Sequence, residues 1–177
     1  SAASDVYKRQ PLDGLVMGTR CGSVDASAVT YIGEKEGMTY AELNEMMNKR
    51  SGVLGLTGLS SDMRDIDRAY DEGNPEAILA RDMHYRRIKK FVGEYAAEMG
   101  GVDLIVFTGG VGENSSEMRE SVCEGLEFMG VHFDKAANQG ARGVNKMLST
   151  PDSKVKVAMI ATNEELVIAT DTYNLVK

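Results

Sequence analysis

Apolar and polar residues recur along this chain with two different periods, which predict strands and helices that follow one another. Short runs rich in β-branched residues, "DLIVFT" from Asp103 and "KVKVAMIAT" from Lys154, have the length and composition of strands. The segments after Thr39, Asn74 and Ser115 instead place apolar residues at helical spacing. Strands that alternate with helices are typical of an α/β protein, so we predict that fold class.

Three of the predicted helices begin with capping residues. Thr39 with Glu42 forms a capping box, and Thr162 with Glu165 forms a second one at the start of a last helix. Asn74 precedes a proline, which is favoured at the first helical position. We expect the helix after Asn74 to bury one stripe of apolar side chains, which are Leu79, Met83, Ile88, Phe91, Tyr95 and Met99.

Two apolar runs end in glycine-rich segments. The first, "GLVMG" over residues 14–18, is predicted to be a short buried strand that leads into the loop around Arg20. The second leads from "DLIVFT" through Gly109, Gly110 and Gly112 into a helix that begins at Asn114 or Ser115. Unpaired amides and the dipole at a helix amino terminus favour an anion, so this turn suits a nucleotide phosphate. A need for positive φ or for tight packing would explain the same glycines without a ligand.

Charge and composition exclude several classes of partner. The chain has 177 residues, 42% of them hydrophobic, and a formal charge of −7 with a pI near 4.9, which would repel a nucleic acid. The basic cluster "HYRRIKK", residues 84–90, is predicted to be a solvated helix face. Cys21 and Cys123 form no CxxC pair, so neither a disulfide framework nor a zinc site is indicated and a reducing cytoplasm fits. The apolar runs are too short to span a bilayer, and no signal-peptide hydrophobic region is present.

The first ten residues, "SAASDVYKRQ", have neither period nor turn chemistry. The "DVYKRQ" part is what a common transposon-adaptor sequence encodes, so we expect residues 1–10 to be a non-native leader and the natural protein to continue from Pro11. A native disordered tail is the alternative.

Three further segments offer groups that could act on a phosphorylated ligand. Arg20 lies in a glycine-flanked loop, where a guanidinium could neutralise a phosphoryl group, although a surface arginine is the simpler reading. Asp62 and Arg64 could contact a ribose or base, or they could be a helix cap with a surface ion pair. Glu165 already has a place in a capping box. Glu164 is therefore the carboxylate that could contact a magnesium ion, while a favourable interaction with the helix dipole alone would explain it equally well.

Four motifs in this order resemble the carboxyl-terminal half of the acetate kinase family, in the acetate and sugar kinase, Hsp70 and actin superfamily. They are "PLDGLVMGTRCG", "GLTGLSSDMRDI", "FTGGVGENSSEMR" and "ATNEELVIATDT", and the resemblance covers Pro11 to Lys177. It implies a ribonuclease-H-like, actin-like ATPase domain, the second of two duplicated domains that hold ATP between them.

The resemblance also assigns roles to particular residues. Arg20 is similar to the arginine that stabilises the transition state, and Glu164 to the glutamate associated with Mg²⁺. The remaining matches are to nucleotide-contacting positions, which are Asp62, Met63, Arg64, Gly110, Val111, Gly112, Glu113 and Asn114. We expect these groups to converge on one hollow that holds the polyphosphate of ATP with its metal. Ser23 and Ala26 depart from the resemblance, since many relatives have aspartate and proline at these two positions of the loop that carries Arg20.

The resemblance implies reversible transfer of the γ-phosphoryl group from ATP to acetate, giving ADP and acetyl phosphate, in a cytoplasmic homodimer. The family's amino-terminal domain has no counterpart in this sequence, so we expect the chain alone to be inactive. The final helix, residues 163–176, would pack on that domain, and its stripe of Leu166, Ala169 and Tyr173 should therefore be exposed here.

Other functions agree with parts of the sequence. A propionate kinase, or another kinase of short-chain carboxylates, would share the four motifs. A fragment of an NAD-binding dehydrogenase would use Gly110 and Gly112 with Asp134 on the ribose, but Ser115 stands where that fingerprint needs a third glycine. A P-loop is excluded, because no GxxxxGK[ST] occurs. A non-catalytic dimerisation module is the remaining alternative.

Overall fold

A computed structural model describes residues 12–177, apart from the side chain of Glu164. The predicted leader, residues 1–10, lies outside the described residues. The chain divides into two compact units, the first ending at Ile88 and the second beginning at Lys89. Helices and strands are both present, which confirms the α/β class.

The described part of the first unit is helical. Its helices are α1 (Ala26–Lys35), α2 (Tyr40–Lys49), α3 (Gly52–Thr57), α4 (Met63–Asp71) and α5 (Pro75–Glu98), the last of which extends into the second unit. The capping box of Thr39 and Glu42 is confirmed at the start of α2. The cap at Asn74 is confirmed as well, because its Oδ1 accepts the Ala77 amide at 2.9 Å. Helix α1, which begins after the cap Asp25, was not expected from the sequence.

The prediction of a strand at residues 14–18 is wrong, since this segment is a loop that contributes one side chain to the core. The Val16 side chain packs with a cluster of buried residues from three helices, which are Val53, Ile66, Ala77 and Ala80. The neighbouring backbone bonds to helix α3 rather than to a sheet, because the Met17 carbonyl accepts the Val53 amide at 2.9 Å. An apolar run was therefore mistaken for a strand because its burial comes from one side chain.

The buried face of α5 differs from the predicted stripe. Leu79, Tyr95 and Met99 are exposed, whereas Ala77, Ala80, His84 and Tyr85 are buried. Two of the four buried residues are alanines, whose small side chains let this part of the helix approach the core closely. The prediction of a solvated basic face at residues 84–90 is wrong at its start, since His84 and Tyr85 face inward.

The second unit is built on a three-stranded sheet. Its strands are β1 (Leu104–Phe107), β2 (Lys146–Met147) and β3 (Lys156–Met159), in the order β1-β3-β2. The remaining elements are α6 (Gly109–Asn114), α7 (Ser116–Cys123), a 3₁₀ turn (Glu127–Met129), α8 (Lys135–Asn138) and α9 (Glu164–Val176). Strands β1 and β3 are parallel, with Phe107 opposite Met159, so their carboxyl ends lie at one edge of the sheet. This confirms both strands expected from β-branched composition.

Helix α9 exposes its apolar side chains in this chain. Leu166 and Tyr173 are 60% and 58% exposed, and Ala169 is exposed as well. The expected exposure of this stripe is therefore observed, while its packing on a further domain stays a prediction. No helix in the described part of the chain is long and apolar enough to cross a membrane.

The buried imidazole of His84 should make stability depend on pH. Its Nδ1 lies 2.8 Å from the Val16 carbonyl and must carry the proton there, while the pKa of His84 is lowered by burial, with partial compensation from this bond and from Asp67. The unfolded chain then binds a proton more readily than the folded one, so stability falls as pH decreases below about 6.5. Asparagine keeps an amide donor near the Nδ1 position, so His84→Asn should flatten the fall between pH 7.5 and 5.5.

The matched control is His132→Asn, which removes the only other histidine of the chain and leaves the Val16 contact intact. The measurement is the midpoint of thermal unfolding of each protein, followed by circular dichroism between pH 7.5 and 5.5. Equal pH profiles for wild type and His84→Asn would contradict the prediction.

Candidate functional site

Arg20 lies on a loop whose two ends are tied together. The Ser23 amide donates to the Gly14 carbonyl at 3.1 Å, and the Gly14 amide donates to the Ser23 hydroxyl at 2.9 Å. The Arg87 guanidinium donates to the Ser23 carbonyl at 2.7 Å and so links the same point to α5. Serine at this position therefore closes the loop through its own hydroxyl.

The amino terminus of α3 supports the middle of the same loop. The amides of Val53 and Leu54 donate to the carbonyls of Met17 and Gly18, each at 2.9 Å. Gly52 makes this approach possible, because a Cβ at its position would collide with the Met17 carbonyl oxygen. Gly52 also has φ +64°, a conformation that few other residues adopt.

The structure brings the Arg20 loop against the "SSDMR" segment. A Cβ on Gly18 would stand 2.6 Å from the Ser61 carbonyl oxygen, so the two backbones are in contact. Asp62 follows directly and caps α4 by accepting the Arg64 amide at 2.9 Å. The two predicted phosphate-binding segments of the first unit are thus neighbours in space.

Asp62 and Arg64 form an ion pair at the surface. Both carboxylate oxygens of Asp62 accept from the Arg64 guanidinium, which lowers the pKa of Asp62 to about 2 and raises that of Arg64. This is the helix cap with an ion pair that the sequence offered as the alternative to a ligand contact. Met63 is partly buried against the Val16 core cluster, so its side chain has a packing role.

The glycine turn predicted after β1 is helical, because Gly109, Gly110 and Gly112 lie within α6 (Gly109–Asn114). We keep the name glycine turn for residues 109–112, whose three glycines differ in what the structure requires of them. Gly109 has φ +70°, and a Cβ on Gly112 would stand 3.2 Å from the Phe107 carbonyl carbon, so conformation and packing explain these two. Gly110 has neither constraint, because nothing lies within 4 Å of a Cβ built there. The Asn114 side chain donates to the Gly110 carbonyl at 2.8 Å and closes the turn. The structure thus gives no internal reason for glycine at position 110.

The Glu113 side chain turns into the protein instead of towards solvent. It is 9% exposed, and its Oε1 accepts the Gly109 amide at 2.9 Å. The same oxygen accepts the amide and the hydroxyl of Thr162, at 2.8 and 2.7 Å. These bonds lower the pKa of Glu113, those from Thr162 most. The structure thus joins the glycine turn to the segment that precedes Glu164.

The predicted capping box of Thr162 and Glu165 is wrong for this reason. Because the Thr162 hydroxyl is bonded to Glu113, Asn163 caps α9 instead and accepts the Leu166 amide at 3.0 Å. Glu164 is then the first residue of α9. Because Glu165 does not form the predicted capping box, capping no longer distinguishes Glu164 from Glu165 as the candidate for a magnesium contact. In the described part of the chain, no group of three or more histidine, cysteine, aspartate or glutamate side chains is arranged to hold a metal.

Arg119 is a second buried charged residue beneath the turn, and sequence reasoning missed it. It is 0% exposed and donates to Asn138 Oδ1 and to the carbonyls of Gly112 and Ala141, each at 2.8 Å. Burial lowers the pKa of its guanidinium. Its position three residues before the buried Val122 was the available signal, since that spacing places it on the inner face of α7.

Comparisons with known proteins give the family of this chain. The model of the acetokinase family matches residues 9–170, so the chain belongs to the acetokinase family. An acetate kinase of Bacteroides thetaiotaomicron is 56% identical over 167 residues, which are 94% of this chain and 42% of that protein. The chain thus spans less than half the length of this curated relative.

Solved structures give the same result. The crystal structure of Porphyromonas gingivalis acetate kinase is 52% identical with a TM-score of 0.90, covering 95% of this chain and 42% of that one. A propionate kinase from Francisella tularensis is 38% identical with a TM-score of 0.80, covering 90% of this chain and 40% of that one. These similarities support the predicted actin-like ATPase fold.

Gly52 and Gly58 provide a matched pair for testing the support of the Arg20 loop. Both have φ +64°, but a Cβ on Gly58 would meet nothing within 4 Å. Gly58→Ala should cost about 1 kcal/mol of stability through backbone strain alone. Gly52→Ala should cost roughly 3 kcal/mol or more, because the methyl group also displaces the Met17 carbonyl. Urea unfolding of both variants measures the difference, and equal costs would show that the close approach does not matter.

Proposed function

We propose that this chain is the carboxyl-terminal, nucleotide-binding part of an acetate kinase, which transfers the γ-phosphoryl group of ATP to acetate and forms acetyl phosphate. The similarity to acetate kinases over more than nine-tenths of the chain is the observation that carries the proposal. ATP and ADP, acetate or acetyl phosphate, and a second copy of the chain are the proposed partners.

The glycine turn supports the nucleotide part of this proposal. Gly110 has no internal need to be glycine, and it lies at the carboxyl end of a parallel strand, where ligands of open α/β sheets bind. The adjacent turn is fixed by Glu113 and Arg119 before any ligand arrives. A fixed turn loses little conformational freedom on binding, which favours affinity.

Arg20 is the proposed catalytic residue. Its guanidinium stabilises the negative charge that spreads over the phosphoryl group during in-line transfer. The closed loop and its α3 support hold the residue in place, so orientation costs little at the moment of reaction. Its approach to the polyphosphate bound at the turn stays a prediction.

Glu164 is the proposed residue that holds magnesium. Its carboxylate offers the hard oxygen donors that Mg²⁺ prefers, usually together with substrate phosphates and water. Magnesium bound with ATP would supply charge neutralisation on the phosphate oxygens. The chain's own contribution is to place Glu164 at the first position of α9, directly after a capped start.

The structure and the comparisons bear on the three alternatives. A propionate kinase stays a candidate for the acyl substrate, because one of the structural matches is a propionate kinase. The dehydrogenase loses support, because the Asp134 carboxylate that would bind a ribose caps α8 by accepting the Ala137 amide at 2.8 Å. Because the chain belongs to the acetokinase family, no observation favours the non-catalytic dimerisation module in particular.

A chimera tests the proposed activity. Residues 12–177 replace the matched region of Porphyromonas gingivalis acetate kinase, and acetyl phosphate formed from ATP and acetate is trapped with hydroxylamine. We expect an active chimera and a loss of roughly 10²–10³-fold in kcat for Arg20→Ala, the range seen when a transition-state donor is removed. Arg86→Ala, which changes an exposed arginine of α5, is the control. An inactive but folded chimera, or full activity in Arg20→Ala, would refute the proposal.

Gly109 and Gly110 separate folding from binding at the turn. Gly109→Ala should cost about 1–2 kcal/mol of stability, because alanine must adopt positive φ. Gly110→Ala should leave stability unchanged or raise it by up to about 1 kcal/mol. In the chimera its methyl group should weaken ATP binding by roughly tenfold, as overpacking of a contact does. Unfolding curves and calorimetric titration with ATP measure both effects, and unchanged ATP affinity in Gly110→Ala would contradict the prediction.

A further inference from the structure

Glu113 is one of the residues that the resemblance placed at nucleotide-contacting positions. We infer that Glu113 is a positioning residue, whose buried carboxylate couples the glycine turn to the start of α9 so that the nucleotide and metal segments keep one spacing. The functional part of this inference rests on the proposed function, whereas the structural part does not.

The contacts of Glu113 leave little room for a ligand role. One carboxylate oxygen accepts three hydrogen bonds, from the Gly109 amide and from the amide and hydroxyl of Thr162. The side chain is 9% exposed. The negative charge of a carboxylate would also repel the phosphate that is proposed to bind at the glycine turn. The side chain therefore acts on the protein itself.

The two segments that Glu113 joins are not held by the sheet. The ladder between β1 and β3 continues only to the bond from the Ile160 amide to the Phe107 carbonyl, at 2.9 Å. Beyond that point the two chain segments separate, since Gly109 begins α6 and Thr162 lies just before the cap of α9. The carboxylate replaces the missing ladder bonds with charge-assisted ones, which are shorter and stronger than neutral bonds.

The linkage leads directly to the proposed metal residue. Thr162 is two positions before Glu164, and Asn163 between them caps α9. A shift of Thr162 would therefore move the first turn of α9 relative to the glycine turn. Partners that orient a metal-binding residue typically change metal affinity by 10–100-fold when they are removed, according to studies of other sites.

Amide exchange in the nucleotide-free chain tests the structural part. In Glu113→Gln, which keeps the length of the side chain but loses its charge, exchange at the Gly109 and Thr162 amides should become roughly tenfold faster. Amides within β1 and β3 should change little. Glu94→Gln, at an exposed position of α5, is the matched control. Unchanged exchange at Gly109 and Thr162 would overturn the inference, whether or not the chain binds a nucleotide.

Binding of ATP by the same chain, titrated with Mg²⁺, tests the functional part. The Mg²⁺ concentration that gives half of the binding response should rise roughly tenfold in Glu113→Gln. Thr162→Val, which loses only the hydroxyl bond, should show a smaller rise, and Thr162→Ser should restore the wild-type value. A ligand role for Glu113 would instead weaken ATP binding with no effect from Thr162→Val, and this result would overturn the inference.

The outcomes also separate this inference from the proposed function. If the wild-type chain and the chimera both fail to bind ATP, the proposed function fails, while the exchange rates still decide whether Glu113 couples the two segments. If exchange is faster in Glu113→Gln but the Mg²⁺ dependence is that of the wild type, the coupling is structural only and the positioning role is refuted.

Discussion

A single carboxylate connects two distant segments of the second unit, since Glu113 bonds the nearby Gly109 and also Thr162, which lies 49 positions later in the sequence. The parallel pairing of β1 and β3 brings these segments to one edge of the sheet, but it ends before either of them begins. The sheet thus sets their approximate location, and the carboxylate sets their spacing. Everything proposed for the glycine turn and for the start of α9 depends on that spacing.

Two buried charged side chains hold the glycine turn, one at its beginning and one further along. Glu113 binds the Gly109 amide at its beginning, and Arg119 binds the Gly112 carbonyl further on. The bonds described for both residues go to neutral groups. Removing one of these partners leaves a buried charge with fewer compensating hydrogen bonds, which is costly. Such an arrangement favours one backbone conformation and leaves Gly110 open at the surface, which is what a preformed binding site requires.

Local signals in the sequence were sufficient where the structure depends on local contacts. The caps at Thr39 and Asn74 are correct because each bonds an amide only three residues away. Strands β1 and β3 are correct because their short apolar, β-branched runs suit extended backbone, buried at alternate positions in β1 and almost throughout in β3. By contrast, the segment around Val16 bonds to a histidine 68 positions away, and the Thr162 hydroxyl is taken by a distant glutamate. No pattern of neighbouring residues contains that information. The resemblance found the segments of the candidate site, but not which side chain of the turn faces inward.

The loop that carries Arg20 has a property of its own. Its ends are joined at Gly14 and Ser23, and its middle is bound through main-chain carbonyls to α3. These supports use main-chain groups and the side chain of residue 23. The path of the loop is therefore set mainly by bonds between backbone atoms, which most substitutions of its surface side chains would leave in place.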